Sequence, residues 1–140
     1  IRMTQLTLED ARRISDGALA AANERGWLIS VAVIDLHGNL VHFARQDGST
    51  LASVVSSQSK AWTAAAVGAS THDLQAAAQP GQAVYGLAHA GGPGRPMTAV
   101  PGAVPIRSAD GNLLGAVGIG GAPAPADDQF VAETAANRRP

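Results

Sequence analysis

At 140 residues and a net charge of −1, the chain is sized for a single domain over residues 1–140, with none of the clustered basic charge that nucleic acid requires. No apolar run approaches the ~18 residues that cross a membrane, and the absence of cysteine removes disulfides, thiolate metal sites and iron–sulfur clusters together. Hydrophobic residues make up 46% of the chain but aromatics only 4%, so the core must be built largely from close-packed small side chains.

Thr7-Leu-Glu-Asp10 is a capping-box-like start, and Leu8, Ala11, Ile14, Ala18 and Ala22 keep helical spacing up to Gly26. Residues 28–34 then read as a strand apolar on both faces, hence central. A turn at Asp35-Leu-His-Gly38-Asn39 leads into a second strand over 40–45, closing a hairpin. Alternation sets Val41, Phe43 and Arg45 on one face of that strand and Leu40, His42 and Ala44 on the other. Residues 51–67 form a second helix, with Leu51, Val54, Val55, Trp62 and Ala65 expected toward the core. A short helix over 71–78 stops before Pro80. Residues 80–96 carry the Gly and Pro of a loop, with a short strand or turn near 84–88. Strand pieces follow at 97–100 and 103–107, then a turn at Asp110-Gly111-Asn112 and a glycine-rich buried strand over 113–121. A last helix opens near Ala124, its acidic residues placed as the helix dipole prefers. Turns this short exclude most parallel crossovers. The expected fold is therefore α+β, an antiparallel sheet of about five strands flanked by helices, a sandwich of the profilin or PAS type.

The chain has nine arginines and a single lysine, Lys60. Arg is a fixed planar cation, whereas Lys is a compact charge that can also serve as an acid, base or nucleophile. At helical spacing Ser53, Ser56, Ser57, Thr63 and Ala64 share its face, leaving room for a ligand beside it. The plainer reading is a solvated surface lysine. Arg45, Asp47 and Lys60, near the start of the second helix, make the most coherent polar set, with Asp127 and Asp128 after the glycine strand. Two cations beside a cleft suit a carboxylate-bearing ligand, although Arg45 and Asp47 could equally pair with each other. Gly115, Gly118, Gly120 and Gly121 lie inside a strand, not at a strand-to-helix turn, so a dinucleotide loop is disfavoured. They mark close approach of a helix, a second subunit or a ligand. None of the four histidines makes a helical metal pair. His42, on a strand, is the one that could face a groove and supply a single axial imidazole to haem.

Four blocks in order resemble the GlcG/HbpS family, which is related to the C-terminal domain of PduO: Ser30 to Gly48, Ser53 with Lys60-Ala-Trp-Thr63, Gly102-Ala-Val-Pro105-Ile106, and Gly111 to Gly121 leading into Asp127-Asp128. Ser57, Gln46, Ala103 and Gly120 depart from the residues usual in that family. The resemblance implies a small α/β sandwich in homo-oligomers, octamers or dimer-based assemblies. It also implies a capacity to bind haem or a related tetrapyrrole, with a role in haem handling or redox sensing. On that reading Lys60 and Arg45 hold anionic groups beside Ser56, Thr63 and Asp127. Pro105, Gly118 and Gly120 shape the wall, and His42 is the candidate for iron. A different reading is a cofactor-free isomerase, tautomerase or hydrolase acting on a small carboxylate, with Lys60, Arg45 and Asp47 as its catalytic set. A third is a structural or partner-binding oligomer whose subunit contacts use the small residues from Ala64 to Gly68. No charged and apolar leader precedes the first helix, so a cytoplasmic location is favoured, while a start at Ile1 also suits a processed chain.

Overall fold

The structure, a computed structural model, describes residues 5–137. The outermost residues of the expected 1–140 domain, 1–4 and 138–140, lie outside that range. Helix α1 (Leu8–Glu24) starts at Thr7, whose hydroxyl accepts the Asp10 N–H at 3.1 Å. Strands β1 (Ser30–Asp35) and β2 (Leu40–Arg45) form the hairpin, its turn held by the Asp35 carboxylate accepting from the His37 and Asn39 backbone N–H groups. Helix α2 (Leu51–Val67) is capped by Thr50 and ends at Gly68 in the left-handed conformation. The segment expected as one helix over 71–78 is α3 (Thr71–Leu74) followed by a 3-10 turn, Ala76–Ala78. A single helical turn, α4 (Leu87–Ala90), interrupts the loop where a strand or turn was expected. Strands β3 (Ala103–Arg107) and β4 (Leu113–Gly120) and helix α5 (Pro125–Ala136) complete the order.

The sheet is antiparallel with the order β2-β1-β4-β3, so β1 is internal as its doubly apolar sequence required. It has four strands rather than about five, because residues 97–100 join no ladder. The Thr98 N–H instead donates to the Thr63 hydroxyl at 2.9 Å. A bulge in β2 opposite Val33 and Ile34 also resets the alternation. Val41 therefore packs with Ala44 against the α1 side, while Phe43 packs under α2.

The two faces of the sheet differ in size. Val31, Val33, Val104, Ile106, Val117 and Ile119 meet the apolar stripes of α1 and α5. The other face offers Ala32, Ala103, Ala116, Gly118 and Gly120, and α2 lies directly on it. A Cβ on Gly118 would stand 2.2 Å from the Ser57 carbonyl oxygen and 2.6 Å from the Ala61 nitrogen. On Gly120 it would stand 2.3 Å from the Ser56 hydroxyl and 2.8 Å from the Ser53 carbonyl oxygen. The approaching element anticipated from these glycines is thus a helix.

This contact changes the expected orientation of α2 in part: Ala65 is buried and Trp62 packs against the core as expected, but Leu51 and Val55 do not. Ser53, Ser57, Lys60, Ala61, Thr63, Ala64 and Ala65 are buried, while Leu51 is 80% and Val55 59% exposed. Only small side chains fit against the glycine floor, so the larger aliphatics turn outward. Ala64 and Ala65 are core residues, which removes them from the expected subunit-contact surface and leaves Ala66 and Val67 exposed. Gly118→Ala is expected to cost about 1–3 kcal/mol, the range for overpacking a filled core. Urea denaturation would show this as a lower midpoint with an unchanged slope.

Candidate functional site

Lys60 leaves the buried face of α2 at the end of the β3–β4 pair. Its ammonium donates to the Ile119 carbonyl oxygen at 3.0 Å and to Asp128 Oδ2 at 2.9 Å. The residue is 3% exposed. Asp128 Oδ1 accepts the Ala122 N–H at 3.0 Å, so both carboxylate oxygens have partners. Space for the pair comes from Gly102, at φ +138°, where a Cβ would stand 2.8 Å from Lys60 Nζ and 2.9 Å from Asp128 Cβ. The Gly102 N–H donates to Gln129 Oε1 at 2.9 Å, so neighbouring residues of α5 grip both the strand entry and the lysine. The pair thereby ties α2, on one face of the sheet, to α5 on the other. Burial pushes the Asp128 carboxyl above its ordinary value of 3.8, against the opposing pull of Lys60.

Beside Lys60 runs a largely apolar groove of about 560 Å³. One wall is α2, through Ala52, Val55, Ser56 and Ser59. The other is the segment 96–100, through Pro96, Met97, Thr98 and Val100. Thr63 fastens that segment: its hydroxyl donates to the Ser59 carbonyl oxygen at 2.8 Å while accepting from Thr98. A second groove of about 350 Å³ lies between α2 and the hairpin turn, sharing Ser59 and Pro96 with the first. A third, of about 220 Å³, lies behind the 96–100 segment toward Tyr85 and Leu87.

The residues expected to form one ligand site are dispersed by this geometry. Ser56 lines the apolar groove and Lys60 borders it, but the lysine's charge is already matched by Asp128. Arg45 is exposed and donates to the Ser49 carbonyl oxygen at 2.6 Å, next to a buried hydroxyl cluster of Ser30, Ser49 and Ser53. Ser53 precedes Lys60 on α2 by seven residues, roughly 10 Å of rise, so Arg45 and Lys60 belong to different places. Asp47 is exposed and forms no ion pair with Arg45. Asp127 caps α5 by accepting the Ala124 N–H at 3.1 Å. Thr63 spends its hydroxyl on the 96–100 segment, Gly118 and Gly120 lie beneath α2, and Pro105 sits on edge strand β3; none of them lines these three grooves. His42 pairs with Val33, and paired residues share a face, so it belongs to the α1 side of the sheet, away from the groove. Among the described residues no cluster of three His, Asp or Glu side chains could hold a metal ion, and no helix is long and apolar enough to cross a membrane.

The 96–100 segment and Arg95 carry no site motif in the sequence, where they read only as strand and loop. Arg95 donates to the Gly38 carbonyl oxygen at 2.9 Å, and its guanidinium lies 4.4 Å from the centre of the Trp62 ring. The available signal was a lone arginine between two prolines facing the Trp of α2, which carries no spacing rule of its own.

A family model described as haem degrading protein HbpS-like matches residues 6–137. The chain belongs to the HbpS-like family. Three solved structures similar to this HbpS-like chain bear out the antiparallel α+β fold. The HbpS crystal structure is 31% identical with a TM-score of 0.85, covering 98% of this chain and 92% of its own. A PduOC:heme complex is 30% identical with a TM-score of 0.85, covering 96% and 94%. Klebsiella pneumoniae protein ORFY is 28% identical with a TM-score of 0.88, covering 99% and 93%. No curated protein sequence matches the chain significantly.

Lys60→Met leaves the Asp128 carboxylate buried alone and should cost about 3–5 kcal/mol, whereas Lys60→Met with Asp128→Leu should recover most of that loss. Thermal or chemical denaturation of the three proteins checks this. The raised Asp128 pKa means the native state binds that proton more tightly than the unfolded chain does. Its contribution to stability is therefore full below 3.8 and declines as pH rises through the raised value. Wild-type stability relative to Asp128→Asn should fall over that window, and a carboxyl NMR titration should place the Asp128 midpoint above 3.8.

Proposed function

We propose that this HbpS-like protein binds haem or a related tetrapyrrole in the groove between α2 and residues 96–100, serving haem handling or redox sensing. The observation that carries this reading is the groove itself, apolar and about 560 Å³, within the roughly 300–1,000 Å³ usual for small-molecule sites. Family membership and the haem bound in the PduOC structure support it. Tested against the residues present, a flat apolar body suits Val55, Met97 and Val100, while Ser56, Ser59 and Thr98 offer hydroxyls. No imidazole lines the groove, and the Met97 thioether is the side chain there of a type known to ligate haem iron. Bound haem would supply the redox chemistry of its iron. The chain's own residues would shield its faces from water. A lysine-dependent enzyme finds less support, since Asp128 occupies the ammonium. The family resemblance also favours a homo-oligomer, and Leu51 is the most exposed large hydrophobic side chain such an assembly could cover.

Hemin titration followed by visible spectroscopy tests the reading. The wild type should give a saturable, shifted Soret band at a fixed stoichiometry. Val55→Glu, at a position exposed enough to leave folding intact, should bind at least about tenfold more weakly, because it places a charge against an apolar ligand. An identical, non-saturating response in both proteins would reject the proposal.

A further inference from the structure

Arg95 stands where the chain's earlier polar candidates do not. Of the other cations near α2, Lys60 is neutralised by Asp128, Arg45 is turned to the Ser49 carbonyl group, and Arg107 donates to the carbonyl groups of Gly68 and Gly111. Arg95 lines the 350 Å³ groove with Asn39, Gln58 and Trp62, and that groove meets the apolar one at Ser59 and Pro96. Its guanidinium is held on two sides, by the face of Trp62 at 4.4 Å and by the Gly38 carbonyl oxygen at 2.9 Å. Trp62 presents its ring face to the guanidinium as a platform. Among the described residues no acidic side chain pairs with Arg95, which leaves the rest of its fork of donors unmatched there. A planar guanidinium fixed in this way is suited to bidentate recognition of a carboxylate. Gln58 and Asn39 border the same space but have committed an amide N–H each, to Val54 and Asp35, so Arg95 is the strong donor.

We infer that Arg95, stacked on Trp62, is the carboxylate anchor of the protein, fixing an acidic ligand whose apolar body lies in the adjoining groove. The inference rests on the proposed tetrapyrrole groove and assigns the acidic end of that ligand to a residue no motif picked out. Trp62 acts as a positioning residue, holding the guanidinium in place.

The test compares haem with its dimethyl ester, in wild type and Arg95→Gln, by absorbance titration. Wild type should prefer the free acid by about tenfold or more, the discrimination a charge-assisted pair supplies, and Arg95→Gln should bind acid and ester alike. A preference kept in Arg95→Gln overturns the inference while leaving the haem reading intact. Should neither tetrapyrrole bind the wild type, the haem reading fails and a smaller probe judges Arg95 alone. In that case 2-naphthoate, but not 2-naphthamide, should shift the Arg95 Nε–Hε NMR resonance, and equal or absent shifts overturn the inference.

Discussion

The close seating of α2 on a floor of alanine and glycine is the constraint from which the remaining features follow. Dispersion attraction falls steeply with a gap, so a helix gains from lying on small residues only if its own contact face is small as well. Ser53, Ser57, Ala61 and Ala64 meet that condition, and the carbonyl of Ser57 sits where a Cβ on Gly118 would be. The opposite face of the sheet, built from Val and Ile, packs in the ordinary way against α1 and α5. Two kinds of core thus share one sheet. The price of the tight side is that Leu51 and Val55 are left outside, and Val55 becomes a wall of the groove.

The same seating brings Lys60 within reach of the far layer. A lysine on a helix farther from the sheet could not donate to the Ile119 carbonyl oxygen and to an aspartate of α5 together. Desolvating two charges is expensive, and the partnership with Asp128 mainly limits that cost. What it specifies is relative placement, because Gly102, Ala122 and Gln129 are tied into the same junction. The Lys60 charge is matched inside the protein even though the residue borders the apolar groove. Arg95 is the converse case, exposed, held by a ring face and a carbonyl group, and without an acidic partner among the described residues.

Much of the fold was legible because its signals are local. The cap at Thr7, the turn at Gly38 and Asn39 and the doubly apolar β1 each express a preference of a few neighbouring residues. Where the reading missed, a distant partner decided. Residues 97–100 have strand-like composition, yet their hydrogen bonding is drawn to Thr63, so they form a fastened strap. The β2 bulge moved Val41 to the other face, an insertion that alternation cannot register. The exposure of Leu51 and Val55 on α2 was missed because burial was assigned by side-chain size, whereas the available volume above the sheet selected the small residues.

The sequence by itself determined the element order, the antiparallel α+β class and the family, since these rest on periodicity, turn chemistry and blocks of residues in order. It also singled out Lys60 as unusual and the glycines of β4 as places of close approach. Only the tertiary structure decided what each was for. It matched Lys60 with an aspartate 68 positions later, set α2 on the glycines, and placed His42 behind the sheet. It also brought Arg95 onto Trp62 beside the groove. Charge pairing, available volume and the side of a sheet are properties of neighbours in space, and these neighbours are remote along the chain.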